Sequence, residues 1–451
     1  MTVPLGEKTM LSARALSEIR EGQLSAATAE LDAIGVPFSY AFSPACLPTA
    51  AHAAMSAAWR AFAAGVRAFA DRHGGQAAAM AAELRMPAEM MPRLQALPDS
   101  RWALFGRPDM VISRGRPMIV DVNVHGQAGL FPLNDMILRT HRTAGVRDLF
   151  RQPGMVPRFL MGHYADILRR FLTGDDELIA ITIYASEAAD PHFGRWHYEC
   201  EVRELARLGL TARIVIAEDL DITSRGAFHD GRRVGLIRRF FSPYQDRPEE
   251  LAELARISAA AKKGVFPVVT GMQEELLATK ATLAALSDER FTEGLAPSLA
   301  AQLAGAVPWT RLLEERHTRW RDTRVDLLPW VTANRRRLVI KPAQGFGGRD
   351  VTIGREVSDR DWTALVHMAL TDSEPWVVQE VLDPSEEDVV FLDDTTCQLR
   401  QRRLPVVYGC YVLDGEFVGA IRRHGIRGSG YAMINGTVGA IPAPVYWADR
   451  E

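Results

Sequence analysis

The sequence predicts a mixed α+β / α/β chain in which helical sequence comes first, an alternating strand–helix layer follows, and a β-rich segment comes last. Three observations carry this. Met55, Trp59, Phe62, Val66 and Phe69 recur at spacings of four and three, which puts one apolar stripe on a helix. Between residues 178 and 269, apolar runs such as Leu178–Tyr184 and Ala212–Ile216 alternate with helix-like sequence near 196–208 and 248–262, the order of a doubly wound, Rossmann-like layer. From residue 336 onward, β-branched runs are bounded by glycine turns.

In chain order, residues 1–95 read as a helical region whose stripe suits packing against a core. Residues 96–150 hold two strand-like runs, the second being Met118–Asn123, joined through Arg114-Gly115-Arg116. Residues 151–275 form the alternating layer, ending in Val234–Phe240, a helix and Val265–Val269. No Gly-x-Gly-x-x-Gly follows any of its strands, so no dinucleotide site is expected there. Residues 276–451 form the last unit. Its first part, to about residue 335, reads as helical and charged, and its remainder as β-rich. Asp414-Gly415, inside Val406–Arg423, signals a two-residue hairpin turn. There is no internal repeat and no low-complexity linker.

At 451 residues, 47% hydrophobic and 24% charged, the chain is an ordinary globular sequence, long enough for two or three packed units. A formal net charge of −3 gives no pull toward nucleic acid or an anionic membrane. Residues 1–22 carry charge throughout, unlike a signal peptide, and Arg60 and Arg67 break the alanine-rich stretch, so a cytoplasmic location is expected. Cys46, Cys200, Cys397 and Cys410 lack metal-ligand spacing and read as reduced thiols.

The chemistry starts at Leu338–Arg349. The strand Val339-Ile340 ends in Lys341, and a loop with Gly345, Phe346, Gly347 and Gly348 leads into a second strand-like run, Val351–Gly354. Such a turn lets backbone N–H groups close on an anion, with the lysine charge beside it. It is not a Walker loop, since it lacks the Gly-Lys-Ser/Thr ending and a strand follows. Downstream, Trp376–Leu382 is an apolar strand carrying Gln379 and Glu380, with Val381 and Leu382 after them, a pattern that suits an adenine pocket. Upstream, Asp121 and Asn123 alternate on one strand and so share a face. Asp109 is expected on the neighbouring antiparallel strand, giving three oxygen ligands for a hard cation such as Mg²⁺.

A strand lysine before a glycine-rich flap, then a Gln-Glu hinge, resembles the nucleotide site of ATP-grasp ligases. The metal set lies before the flap instead of after it, an order similar to that of circularly permuted members, above all the synthetase part of the glutathionylspermidine synthase family. On that resemblance Arg107, Asp109, Asp121 and Asn123 match the Arg-x-Asp and acidic-x-Asn motifs, and Lys280 and Lys341 match the two ATP lysines. The residues after Asn123, Val124–Gln127, lack the small hydroxyl cluster expected for glutathione, and Thr279 stands where the family has Asn.

The resemblance implies ATP and Mg²⁺, a permuted ATP-grasp fold with a pre-ATP-grasp layer, and an ATP-dependent carboxylate–amine ligase. Its partners would be a small carboxylate and an amine (amino acid, peptide or polyamine). A kinase or thiol ligase of a small molecule, or a non-catalytic nucleotide-binding protein, is the alternative. Arg107 and one of Arg422 or Arg423 are the expected catalytic residues, since arginine binds carboxylates bidentately. Strand alternation puts Arg422 and Arg423 on opposite faces, so only one faces the site.

Overall fold

The computed structural model of the chain describes residues 33, 41, 45–97, 104–124, 131–140, 155–174, 177–190, 194–241, 247–345, 350–393, 398–425, 434 and 440–448. After a short strand, Ala45–Leu47 (β1), comes the longest helix, Thr49–Arg72 (α1). Its predicted stripe is all buried. Ala77–Glu83 (α2) and Met90–Leu94 (α3) complete the N-terminal helical layer.

Phe105–Ser113 (β2) and Arg116–Val124 (β3) form the expected antiparallel hairpin, turning at Arg114 and Gly115 with φ of 52° and 76°. They do not pair with their sequence neighbours. β2 pairs with Gln398–Leu413 (β18), which pairs with Glu416–His424 (β19), and that with Ile441–Ala448 (β20). The sheet order is β1-β20-β19-β18-β2-β3, with Met155–Pro157 (β4) on β20 and Glu386–Asp393 (β17) on β18. The β18–β19 turn at Asp414 and Gly415 has φ of 51° and 82°, the two positive values that an Asp-Gly hairpin supplies. Trp59 Nε1 of α1 donates to the Gly415 carbonyl at 2.8 Å and ties the helical layer to this turn.

Phe131–Thr140 (α4) and Met161–Arg169 (α5) lead to the second sheet. Leu178–Ile183 (β5), Ala212–Ile216 (β6), Arg232–Arg239 (β9) and Val268–Val269 (β10) are parallel, in the order β6-β5-β9-β10. Asp221–Thr223 (β7) and Gly226–His229 (β8) form an antiparallel meander onto β9. β5 is buried at every position, as a central parallel strand covered on both faces must be. Ala185–Ala189 (α6) and Arg195–Arg207 (α7) lie between β5 and β6 in the chain, and Pro248–Lys262 (α8) between β9 and β10, so the strand–helix alternation appears as read. This layer is keyed to the first sheet by Arg238. Its guanidinium stacks on Phe105 of β2 at 5.0 Å and on Phe240 at 4.6 Å, and its Nε donates to the Tyr164 hydroxyl at 2.8 Å.

Glu275–Ala278 (α9), Lys280–Ser287 (α10), Glu289–Thr292 (α11) and Pro297–Ala306 (α12) follow. α12 packs on α1 at Gly65, where a Cβ would stand 2.8 Å from Leu303 Cδ2. The expectation of helix through residue 335 is corrected here. Thr310–Leu312 (β11), His317–Trp320 (β12) and Thr323–Asp326 (β13) are strands. β12 alternates exposed and buried residues, a period of two carried by only four residues among many charges. Leu327–Ala333 (α13) then precedes a four-stranded antiparallel sheet in the order β11-β16-β14-β15. Its other strands are Leu338–Pro342 (β14), Thr352–Ile353 (β15) and Trp376–Glu380 (β16), and Asp359–Thr371 (α14) covers it. β14 and β15 are the antiparallel pair expected on either side of the glycine-rich turn. Among the described residues no helix is long and apolar enough to cross a membrane.

Candidate functional site

The β2–β3 register sets Arg107 opposite Asn123 and Asp109 opposite Asp121. Directly paired residues project to one side, so the hairpin gathers all four on one face. β18 completes that face with Gly409, which is paired with Asp109. A Cβ at Gly409 would lie 3.0 Å from Arg107 Cδ and 3.2 Å from Ile421 Cγ2, so the missing side chain is what lets Arg107 lie flat along the sheet.

Asp109 is the centre of the polar contacts. Its Oδ1 takes an ion pair from Arg423 Nη2 at 2.6 Å and a hydrogen bond from Arg107 Nε at 3.3 Å, while Asn123 Nδ2 donates to Oδ2 at 3.3 Å. Burial alone would raise the Asp109 carboxyl, but the two guanidinium groups outweigh it and hold the group below its ordinary value. Asp121 is less enclosed, and its Oδ1 lies 3.4 Å from Lys280 Nζ.

Lys280 reaches this face from the first turn of α10. Thr279 caps that helix by accepting from Ala281 N–H, and Lys280 N–H donates to the Ala343 carbonyl at 2.9 Å, which ties the helix start to the end of β14. The Lys280 Nζ then donates to the Gly345 carbonyl at 3.0 Å, bridging the base of the flap to Asp121. Lys341 comes from β14. Its buried Nζ donates to the Val120 carbonyl and to Gln379 Oε1, both at 3.0 Å, and burial pushes its pKa down to about 8. Gln379 Nε2 in turn donates to Thr310 Oγ1 at 3.0 Å.

Two expectations change. The Gln379 side chain is turned to the lysine: it is fully buried, with its amide bonded to Lys341 and Thr310. The N–H groups of Glu380 and Val381 are also engaged, by the carbonyls of Trp309 and Arg337 at 2.8 Å each, so neither is free to read a base edge. Burial raises the Glu380 carboxyl above its ordinary value, against the pull of Arg321, Arg114 and Arg337. Second, Arg422 is not at the site. It projects from the other face of β19, where Nη1 donates to Glu387 Oε2 at 2.5 Å and Nη2 to the Pro444 carbonyl at 3.2 Å. Tyr408 and His424 share that carboxylate. Arg423 is the arginine that meets Asp109. Phe346, Gly347 and Gly348, expected to form the flap, lie outside the described residues, as does Cys397 and as do His125, Gly126 and Gln127.

Three site residues were missed. Gly409 carries the signal of a glycine inside a strand, which marks close approach. Thr310 has no signal in the sequence. His197, on the first turn of α7, stacks on Trp196 at 3.6 Å, and burial, with the nearby Arg107 charge second, lowers its pKa to about 3.

Among the described residues no three His, Cys, Asp or Glu side chains cluster as a metal site. The available set is two carboxylates and a carboxamide, Asp109, Asp121 and Asn123, all oxygen donors on adjacent strands. That chemistry fits Mg²⁺, which accepts one or two carboxylates and keeps several waters.

The chain matches no family model, and no curated protein matches its sequence. Among solved structures it is similar to an apo glutathione synthetase-like effector from Globodera pallida, at 12% identity and a TM-score of 0.61, over 98% of this chain and 100% of that one. It is also similar to a putative gamma-glutamylcysteine synthetase from Methylobacillus flagellatus, at 11% identity and a TM-score of 0.42, over 81% of this chain and 86% of that one. A third is the ATP-grasp ligase PsnB solved with a minimal precursor, Mg and ADP, at 12% identity and a TM-score of 0.29, over 60% of this chain and 88% of that one. The first likeness spans both chains and shows a fold shared with that glutathione synthetase-like protein.

Proposed function

We propose that the chain is an ATP-dependent ligase of the ATP-grasp kind, in circularly permuted order, that joins a small-molecule carboxylate to an amine through an acylphosphate and releases ADP and phosphate. The observation that carries this is a convergence of distant elements. β2 and β3 bring Arg107, Asp109, Asp121 and Asn123, α10 brings Lys280 against Asp121, and β14 brings Lys341 against the strand that holds Asp121. The permuted order is supported by the pairing of β2 with β18, which joins the metal-bearing hairpin to strands that follow the flap and hinge in the chain.

Lys280 and Lys341 bind the ATP phosphates, one from the flap side and one from beneath. Gln379 fixes Lys341 in direction, so the charge is preorganised instead of swinging on its stem. The glycines from Gly345 onward close over the phosphates and exclude water. The base end falls to Leu382, beyond the engaged N–H groups of Glu380 and Val381. Mg²⁺ at Asp109, Asp121 and Asn123 would neutralise charge on the transferring phosphoryl group. Arg107 and Arg423 hold the substrate carboxylate and then the oxyanion that forms when the amine attacks. The parallel-sheet layer serves as the pre-ATP-grasp, acceptor-shaping unit.

The test is a coupled ADP- and phosphate-release screen against amino acids, small peptides and polyamines. With the acid found, hydroxylamine should trap it as a hydroxamate, and an ¹⁸O-labelled carboxylate should pass one label to the released phosphate. Label retained wholly in the acid while product forms refutes activation by phosphorylation. A parent protein with no Mg·ATP affinity by calorimetry refutes the whole reading.

A further inference from the structure

We propose that a divalent cation and the arginine pair Arg107–Arg423 compete for the Asp109 carboxylate, so that cation binding releases the arginines to hold a substrate carboxylate. This rests on the reading of Asp109, Asp121 and Asn123 as the metal set. The geometry that points to it is the full commitment of Asp109. One oxygen is shared by two guanidinium groups, at 2.6 Å and 3.3 Å, and the other accepts from the Asn123 amide at 3.3 Å. The amide nitrogen of Asn123 also donates to the Arg107 carbonyl at 3.2 Å, which holds that side chain against the same strand.

A cation drawn to Asp109 meets two fixed positive charges within a few ångströms, in a site where water screens little. Asp121 differs. It is about a third exposed, and the charges near it are amines, Lys280 at 3.4 Å and the buried Lys341, with no guanidinium ion pair among the described residues. The contest with guanidinium groups therefore falls on Asp109. Arg107 and Arg423 are both buried, so neither can give up its anion without receiving another. A substrate carboxylate is the anion that suits a pair of guanidinium forks. The carboxylate subsite and the metal site are thus coupled through Asp109: filling either one favours filling the other.

The coupling is tested without substrate, by titrating Mn²⁺ calorimetrically into the full chain with saturating non-hydrolysable ATP analogue. Arg423→Gln should tighten Mn²⁺ by roughly three- to tenfold, the size expected when neighbours in one ion-pair network are separated. Arg423→Lys, which keeps the charge but loses the fork, should tighten it less and guards against a folding defect in the glutamine variant. In an Asp109→Asn background the tightening should vanish. If Arg423→Gln leaves Mn²⁺ affinity unchanged or weakens it, the competition does not exist. If the tightening persists with Asp109→Asn, the arginine acts through its field and not through this carboxylate, and the inference fails. A parent protein that binds no Mn²⁺ sinks the metal assignment itself, and the inference with it.

Discussion

Replacing Gly409 by alanine is the smallest change that tests whether the arginine geometry matters. The added methyl would stand 3.0 Å from Arg107 Cδ, 3.2 Å from Ile421 Cγ2 and 3.4 Å from Arg107 Nε. The first contact is tight enough that its neighbour must give, and Arg107 is buried and tied to Asp109, so relief comes from shifting the guanidinium along the sheet. Overpacking of this kind costs about 1–3 kcal/mol of stability. A displacement of a fraction of an ångström at a positioning group is worth roughly ten- to a hundredfold in turnover. Nucleotide binding should be spared, because Lys280 and Lys341 come from other elements. The assay is paired: calorimetric Mg·ATP affinity, unchanged within about threefold, and ADP release with the acid and amine from the screen, reduced at kcat. Stability is read by chemical unfolding. Full turnover in a variant destabilised as expected would show that Arg107 is a structural residue, and would remove it from the proposed carboxylate subsite.

Asp121→Ala should abolish turnover and weaken Mg·ATP binding while the unfolding midpoint holds, as read by calorimetry and circular dichroism. Gln379→Leu leaves the buried Lys341 amine with the Val120 carbonyl alone, and should cost about 1.5–3 kcal/mol of stability together with nucleotide affinity. Glu387 gives a pH signature away from the site. Burial would raise its carboxyl, but Arg422, His424 and Tyr408 hold it far below the ordinary 4.5. A depressed carboxyl stabilises the fold above its unfolded value, so this contribution is intact above pH 4.5 and is lost as pH falls below it. Unfolding of the parent should therefore weaken with acid more steeply than that of Glu387→Gln, and equal slopes would contradict the assignment. Hydrogen exchange from Gly345 onward should slow when a non-hydrolysable ATP analogue binds, and no change would remove the loop from phosphate binding.

What was legible follows from how local each signal is. The shared face of Asp109, Asp121 and Asn123 could be read because a hairpin fixes its own register, and the turn at Gly115 was visible. Lys341 could be read because a glycine-rich turn follows it. The choice between Arg422 and Arg423 could not, because it depends on which face of β19 meets Glu387 and which meets β2, a fact set by strands far apart in the chain. The partners of Gln379 could not be read for the same reason: Lys341 and Thr310 come from two other strands of the small sheet. β11–β13 escaped notice because strands of three or four residues are shorter than the window in which periodicity can be counted.

The pairing of β2 with β18 has a consequence for how the protein comes into being. Asp109 emerges from the ribosome long before Gly409, its strand partner, and at about 5–20 residues per second that interval is roughly 15–60 s. Throughout it the β2–β3 hairpin exists without the neighbour that completes its sheet, and the aspartate without Arg423. A nascent chain therefore has an unpaired strand edge to shield and no assembled candidate site. Long-range pairing of this kind slows folding. Yield in a heterologous host should respond to slower translation or to chaperones more than to stabilising changes on the surface.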